Sequence, residues 1–310
     1  MVASTRDGLI EAVHPVSVAA VGPDGAVLAT SGETAREFFM RSAIKPVQAA
    51  VSERFGTPLT AEQRAVASAS HGGWPVHVAL VRAMLAGVGL DETALRCPPD
   101  RPSSSGADRV WVEMGVAGPQ RVLHNCSGKH AAMLRACITQ GWSLEYTPAD
   151  HPLQVEILAI AEELTGRPVG PVGVDGCGVP TMRSDVMGLA RAFGAVATDS
   201  RLSCVRDAAR RLAPLTRDGE APEATLARWL PVVAKGGAAG CIGVAWVEGG
   251  IGLAAKAWSG SGAAAIAAVV TLLCDLGILG GHPLEHLDEV RSPVVKGGGR
   301  PVGRLAVVER

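Results

Sequence analysis

Lysine, asparagine and tyrosine are nearly absent from this chain of 310 residues. Of 29 basic residues only five are lysine (Lys45, Lys129, Lys235, Lys256 and Lys296), and Asn125 and Tyr146 are the only residues of their kinds. Arginine holds almost every other basic position. Each remaining lysine therefore invites a chemical explanation, because an amine can lose its proton inside a protein and a guanidinium does not. A surplus of either charge is missing too. A formal net charge of -1 excludes the electrostatic footprint of a nucleic-acid or anionic-membrane binder. No long hydrophobic run is present: Asp275 and Gly277 interrupt the most apolar stretch, Ala263 to Leu279, leaving it too short for a bilayer. Residues Met1 to Asp7 lack the apolar segment of a secretory signal, so the expected setting is cytoplasmic. Seven cysteines, an odd number with no C-x-x-C pair, read as buried or functional thiols and not as a disulfide framework. There is also no H-E-x-x-H and no G-x-S-x-G.

Nearly half the residues are apolar, enough for a large core. Val16–Val21 and Ala26–Thr30 flank the turn sequence Gly22-Pro23-Asp24-Gly25 and predict strands. Cys241–Val247 and Ile251–Trp258 predict a hairpin across Glu248-Gly249-Gly250, and Leu305–Val308 a terminal strand. Helical patterns follow Pro46, run over Val76–Ala86 and from Lys129 to about Thr139, and dominate 184–232; Ala263–Leu276 is a hydrophobic helix. Thr60-x-x-Gln63 has capping-box spacing, Asp150 is placed to cap a helix starting at Pro152, and Val122–Leu123 and Val169–Val174 suit short strands. The order is α+β without βαβ alternation. It reads as one unit over 1–310, with sheet-forming ends over about 1–50 and 235–310 and a mostly helical middle over about 51–234.

Four clusters carry possible chemistry. Ser42-Ala43-Ile44-Lys45 is an S-x-x-K whose hydroxyl and amine share one face of a helical turn, so a desolvated lysine there can activate the serine. Ser68-Ala69-Ser70-His71-Gly72-Gly73 places hydroxyls and an imidazole beside glycines; as an isolated segment it reads first as a serine-rich loop with a surface histidine. Asn125-Cys126-Ser127-Gly128-Lys129-His130 packs five chemically capable side chains into six positions. Leu123 occupies the place of the first Walker glycine, which excludes a phosphate loop. Cys126 and Lys129, joined in space by Cys177 of Asp175-Gly176-Cys177-Gly178, would make a zinc site of two thiolates and an amine. Finally, Lys256 sits in the apolar strand Gly252–Trp258, where an inward orientation would lower its pKa.

In this order the blocks Arg41–Pro46, Ala69-Ser70-His71, Asn125–His130, Asp175–Cys177 with Pro180-Thr181, and Gly252–Lys256 resemble the rhizobial-type, thermolabile L-asparaginases of the asparaginase II family. The likeness runs from about Ile10 to about residue 304, and Asn-Cys-Ser-Gly-Lys-His is its most specific element. It implies a fold like that of serine β-lactamases and penicillin-binding proteins, an antiparallel sheet flanked by helices with a helical subdomain. It further implies two Ser–Lys pairs, Ser42 with Lys45 and Ser70 with Lys256, and a zinc position at Cys126, Lys129 and Cys177. Homodimers are the usual assembly. Asp175 is expected to help set the lysine charges, and Arg41, His71, Asn125 and His130 to bind substrate.

The activity expected from the resemblance is hydrolysis of L-asparagine to L-aspartate and ammonia, with Ser42 as nucleophile and Lys45 as base. The roles of the two serines are interchangeable on sequence grounds. The alternatives are a serine glutaminase or β-lactam-reactive hydrolase, or a catalytically silent zinc- or amino-acid-binding homologue. The S-D-N and K-T-G partners of β-lactamases are missing, which counts against β-lactams. Two segments depart from the family pattern. Gly72-Gly73-Trp74 lacks an acidic residue, and Pro98–Pro102 lacks a glycine and a histidine. Both fall where substrate or subunit contacts are expected.

Overall fold

A computed structural model describes residues 1–116, 118–216, 221–279 and 284–308. The amino-terminal strands are β1 (Val2–Arg6), β2 (Leu9–His14), β3 (Val16–Val21) and β4 (Val27–Ser31). Four two-residue strands follow: β5 (Phe38–Phe39), β6 (Gly173–Val174), β7 (Pro180–Thr181) and β8 (Arg183–Ser184). The carboxy-terminal strands are β9 (Val232–Gly237), β10 (Cys241–Trp246), β11 (Ile251–Ala257), β12 (Val294–Gly297) and β13 (Arg300–Val307). Between them lie α1 (Lys45–Phe55), α2 (Ala61–Ala67), α3 (Pro75–Ala86), α4 (Ser105–Glu113), α5 (Ser127–Gln140) and α6 (Pro152–Thr165). These are followed by α7 (Val186–Thr198), α8 (Ser203–Arg211), α9 (Ala213–Thr216), α10 (Pro222–Trp229), α11 (Gly262–Asp275) and α12 (Asp288–Arg291).

The central sheet has the order β4-β3-β11-β10-β9 and is antiparallel throughout. Its inner strands are apolar on both faces because helices cover both. Ala19, Val21, Val233, Ala245 and Ala254 belong to the core shared with α7 and the helical region. Their alternating neighbours Ala20, Ile242, Val244, Leu253 and Ala255 belong to a second core under α11. This two-residue alternation between two cores explains strands with no polar face. The α+β architecture, an antiparallel sheet flanked by helices, is thus as expected.

A second sheet, β12-β13-β1-β2, joins the chain ends; the terminal strand expected at Leu305–Val308 falls in β13, whereas β1, β2 and β12 were not individually predicted. Its outer strand exposes Leu9 and Ile10 and so carries no burial alternation to read. Other expectations shift locally. Val122–Leu123 lies in a 3-10 turn and ends no strand, and His151, not Asp150, caps α6 by accepting from Leu153 N. Val169–Val174 shrinks to β6. The Thr60–Gln63 capping box forms as read. Among the described residues no helix is long and apolar enough to cross a membrane.

Candidate active site

Ser42 lies in the 3-10 turn Arg41–Ile44, and Pro46 in the first turn of α1 supplies a fixed φ that starts the helix at Lys45. Pairing of β5 with β8 and the bond from Met40 N to Met182 O tie this turn to the segment after Asp175. Arg41 adopts a left-handed φ of 51°, sparsely allowed for a side-chain-bearing residue. Asp175 holds it there, its Oδ1 accepting from Arg41 Nε at 2.5 Å. Burial raises the Asp175 pKa, but Lys129 and Arg41 outweigh it and keep the carboxylate below its ordinary range.

Lys45 has no exposed surface. Its amine donates to Ser70 Oγ at 2.8 Å and to Ala69 O at 2.9 Å, and it is in hydrogen-bond contact with Cys126. Burial lowers its pKa, more than the sulfurs of Cys126 and Cys177 raise it. The S-x-x-K lysine therefore faces the second serine. The Ser42 hydroxyl makes no hydrogen bond to another described side chain and opens onto a cleft of about 340 Å³ that Ser70 and Asn125 also line.

Behind Lys45, the thiols of Cys126 and Cys177 meet, and Lys129 donates to Cys177 Sγ at 3.3 Å. The hydrogen bond with Cys126 and the charge of Lys129 hold the Cys177 thiol down to about 5 despite its burial. Burial opposes the charge on Lys129, yet Cys177, Cys126 and Asp175 keep its pKa above the ordinary value. Gly128 makes this cluster possible by letting α5 approach α2, since a Cβ there would stand 2.7 Å from Val66 O. Among the described residues no three His, Cys, Asp or Glu side chains gather as a metal cluster. The donor set here is two sulfurs and an amine. A soft thiolate and a second sulfur suit zinc, provided Lys129 gives up its proton.

Three expected residues stand elsewhere. Lys256 is buried on β11 and donates to the carbonyl of Ala239, with the Phe38 and Trp258 rings beside it. No hydrogen bond links it to Ser70, so the expected Ser70–Lys256 pair is replaced by Lys45–Ser70. Ala239, at φ 60°, is another left-handed residue; it follows the cleft residue Ala238, and its carbonyl accepts from Lys256. His71 and His130, expected to bind substrate, are fully buried and are not among the residues that line the cleft. His71 Nε2 meets Ser127 Oγ at 2.9 Å and His130 Nδ1 meets Tyr146 Oη at 2.7 Å. Burial keeps both imidazoles neutral. Asn125 does line the cleft, its Oδ1 accepting from the Cys126 thiol at 3.0 Å. Arg41 is engaged by Asp175.

Sequence reading missed Ser103, Glu223 and Cys241, all at the cleft. Ser103 donates to His71 O, so the loop it belongs to is tied to the Ser70 segment. Cys241 is pushed up to about 11 by burial and stays a thiol. Gly237 explains how β9 reaches the site: a Cβ there would lie 2.6 Å from Met40 O, so only glycine lets the strand approach the Ser42 turn. No local motif announces these residues.

The family model described as L-asparaginase II matches residues 2–307, nearly the whole chain. No curated protein matches. Among solved structures, a β-lactamase from Mycobacterium bovis is 18% identical with a TM-score of 0.48, covering 84% of this chain and 95% of its own. A structure titled Mglu in its glutamate form is 16% identical with a TM-score of 0.49, over 87% of this chain and 63% of that one. A Bacillus glutaminase is 13% identical with a TM-score of 0.41, over 79% of this chain and 83% of its own.

Proposed function

The chain belongs to the L-asparaginase II family and is an amidohydrolase; we propose that it hydrolyses the side-chain amide of L-asparagine to L-aspartate and ammonia, with Ser42, Lys45 and Ser70 as the reacting set. The observation that carries the residue roles is the solvent-free amine of Lys45 bonded to Ser70 at a cleft that Ser42 also lines. Burial favours the neutral amine that a general base requires. Ser42, its hydroxyl uncommitted, attacks the amide carbon while its proton passes to Lys45, directly or through Ser70. A C–O bond forms and the carbonyl oxygen becomes an oxyanion. As the C–N bond breaks, Lys45 returns the proton through Ser70 to the departing nitrogen, which leaves as ammonia. Water then attacks the aspartyl-serine ester and gives a proton to Lys45, which passes it to the Ser42 oxygen as the acyl C–O bond breaks and L-aspartate leaves.

Asn125 suits a substrate contact. With its Oδ1 accepting from Cys126, its amide nitrogen makes no hydrogen bond to another described side chain and is available in the cleft. Asp175 positions the nucleophile through Arg41. Cys126, Lys129 and Cys177 would hold zinc. When bound, the metal would supply positive charge beside the Lys45 amine and rigidity to the Asn125–His130 segment. Homodimer assembly in the cytoplasm belongs to the same reading, and light scattering on the purified protein tests the dimer.

Acyl trapping tests the proposal. Wild-type protein quenched during turnover carries an aspartyl adduct on the Ser42 peptide, and Ser42→Ala carries none and releases no ammonia. Near-normal turnover by Ser42→Ala would sink the assignment. Parallel ammonia release from L-asparagine, L-glutamine and a chromogenic β-lactam assigns the substrate.

A further inference from the structure

Lys256 is buried on β11, and the reacting set leaves it unused. Its amine donates to Ala239 O, beside the rings of Phe38 and Trp258. Ala239 stands in the turn between β9 and β10 at a left-handed φ of 60°, a conformation that alanine holds only where its surroundings fix it. The neighbouring carbonyls of that turn have donors as well. Ala257 N donates to Gly240 O at 2.8 Å, and the Cys241 thiol lies 3.7 Å from Ala238 O and 3.3 Å from Met40 O, just before the Ser42 turn. The N–H of Ala238 enters no hydrogen bond among the described residues. β9 is the last strand of its sheet, and Gly236 N donates outward from that edge to Glu223 Oε1 at 3.0 Å. Successive N–H groups of a strand point to opposite sides, so the Ala238 N–H, two residues on, leaves on the same side as that of Gly236. Glu223, Ala238 and Ser42 all line the cleft. The turn thus offers a free backbone donor to the cavity that holds the nucleophile.

We propose that Lys256 is a positioning residue: by holding Ala239 in its left-handed turn it aims the Ala238 N–H into the cleft, where that group donates to the oxyanion formed as Ser42 attacks the amide. The inference rests on the proposed reaction and supplies what its reacting set lacks, a donor for the charge that develops on the carbonyl oxygen. Lys256 serves as a fixed hydrogen-bond donor and exchanges no proton with substrate. Its bond ties the turn to β11, so the place of the Ala238 N–H is set before substrate arrives. A donor fixed in advance stabilises the transition state without a cost of reorganisation.

The test reads kcat and KM for L-asparagine in Lys256→Met, Ala239→Gly, their double variant and Ala238→Pro. Lys256→Met should lose at least about tenfold in kcat with KM within about threefold of wild type, because the oxyanion exists only after attack. Its residual activity should keep the wild-type pH profile, which the proposed base Lys45 sets. Glycine adopts a left-handed turn without an anchor, so the double variant should return to within about threefold of Ala239→Gly alone. Ala238→Pro deletes the N–H without touching Lys256, and it should lose at least about a hundredfold in kcat while still binding L-aspartate by titration calorimetry. This last variant decides the role of the donor even if Lys256→Met fails to fold. Unchanged kcat in Lys256→Met or Ala238→Pro would overturn the inference. So would a double variant no faster than Lys256→Met, or a pH profile that loses an inflection in Lys256→Met. Wild-type protein that releases no ammonia from L-asparagine overturns the proposed substrate instead, and the same comparisons then decide Lys256 on whichever of L-glutamine and the β-lactam it hydrolyses.

Discussion

Lys45 Nζ donates to Ser70 Oγ at 2.8 Å across a separation of 25 residues, and this bond links the two serine motifs into one site. An amine with no exposed surface has given up its hydration, so its neutral form gains relative to its charged form. That is the condition under which a lysine acts as a base beside a serine.

Replacing Lys45 by arginine or methionine should therefore remove activity in both cases. The guanidinium keeps a charge but cannot take a proton, and methionine keeps the volume without the amine. Steady-state ammonia release should fall by at least about a hundredfold in each variant. Circular dichroism of Lys45→Met should show the wild-type fold, because methionine fills the buried space without a charge. Arginine supporting more than a tenth of the activity would show that positive charge suffices.

Asp175→Asn tests the contact that holds Arg41 in its left-handed conformation. Removing the carboxylate charge leaves the backbone before Ser42 free to relax. Turnover should fall about ten- to hundredfold, since small displacements of a nucleophile are costly. The urea midpoint should drop by an amount equivalent to about 1–3 kcal/mol, typical of a lost charge-assisted bond. Crystals of the variant should show Arg41 with a negative φ.

Lys256 gives a stability test with a definite sign. Burial lowers its pKa in the folded protein, so over the interval between that value and the ordinary lysine value the unfolded chain binds more protons. Its penalty on stability is fully present below the folded pKa, and stability rises with pH through that interval. Lys256→Met removes the term. The urea-midpoint difference between Lys256→Met and wild type should become less favourable to the variant as pH rises from neutral towards about 10. A difference independent of pH would mean that the lysine is not desolvated.

Metal content is the fourth measurement. Purified protein should contain about one zinc per chain by elemental mass spectrometry, bound by Cys126, Lys129 and Cys177. Cys177→Ser should lose it, because a serine hydroxyl does not ionise as the thiol does. Zinc retained at wild-type level in Cys177→Ser would place the metal elsewhere.

Much of the site was legible locally. Ser42-x-x-Lys45, Ser70, the Asn125–His130 block and Cys177 are short patterns whose chemistry is visible in the letters, and they do converge. The hairpin β10–β11, the capping box of α2 and the hydrophobic helix α11 were legible as well, because turns, caps and apolar runs are set by neighbouring residues. Apart from the terminal strand at Leu305–Val308, the pairing in the sheet of the chain ends was not. β1 and β13 meet across nearly the whole sequence, and exposed Leu9 and Ile10 break the alternation that marks a strand.

The scarcity of lysine, with Asn125 as the single asparagine, by itself singled out the residues to which we assign the chemistry. Arginine cannot stand in for an amine that must lose its proton. Which amine meets which serine was decided only by the tertiary structure. Lys45 turns to Ser70 and Lys256 to Ala239 because a buried ammonium or amine takes whatever acceptor packing brings within reach, and sequence spacing does not define that distance. For the same reason Lys235, beside Gly236, and the cleft carboxylate Glu223 stayed unread: no motif surrounds them, and only the approach of β9 to the Ser42 turn brings that strand and Glu223 to the cleft. Lys296, exposed on β12, has no part in the site.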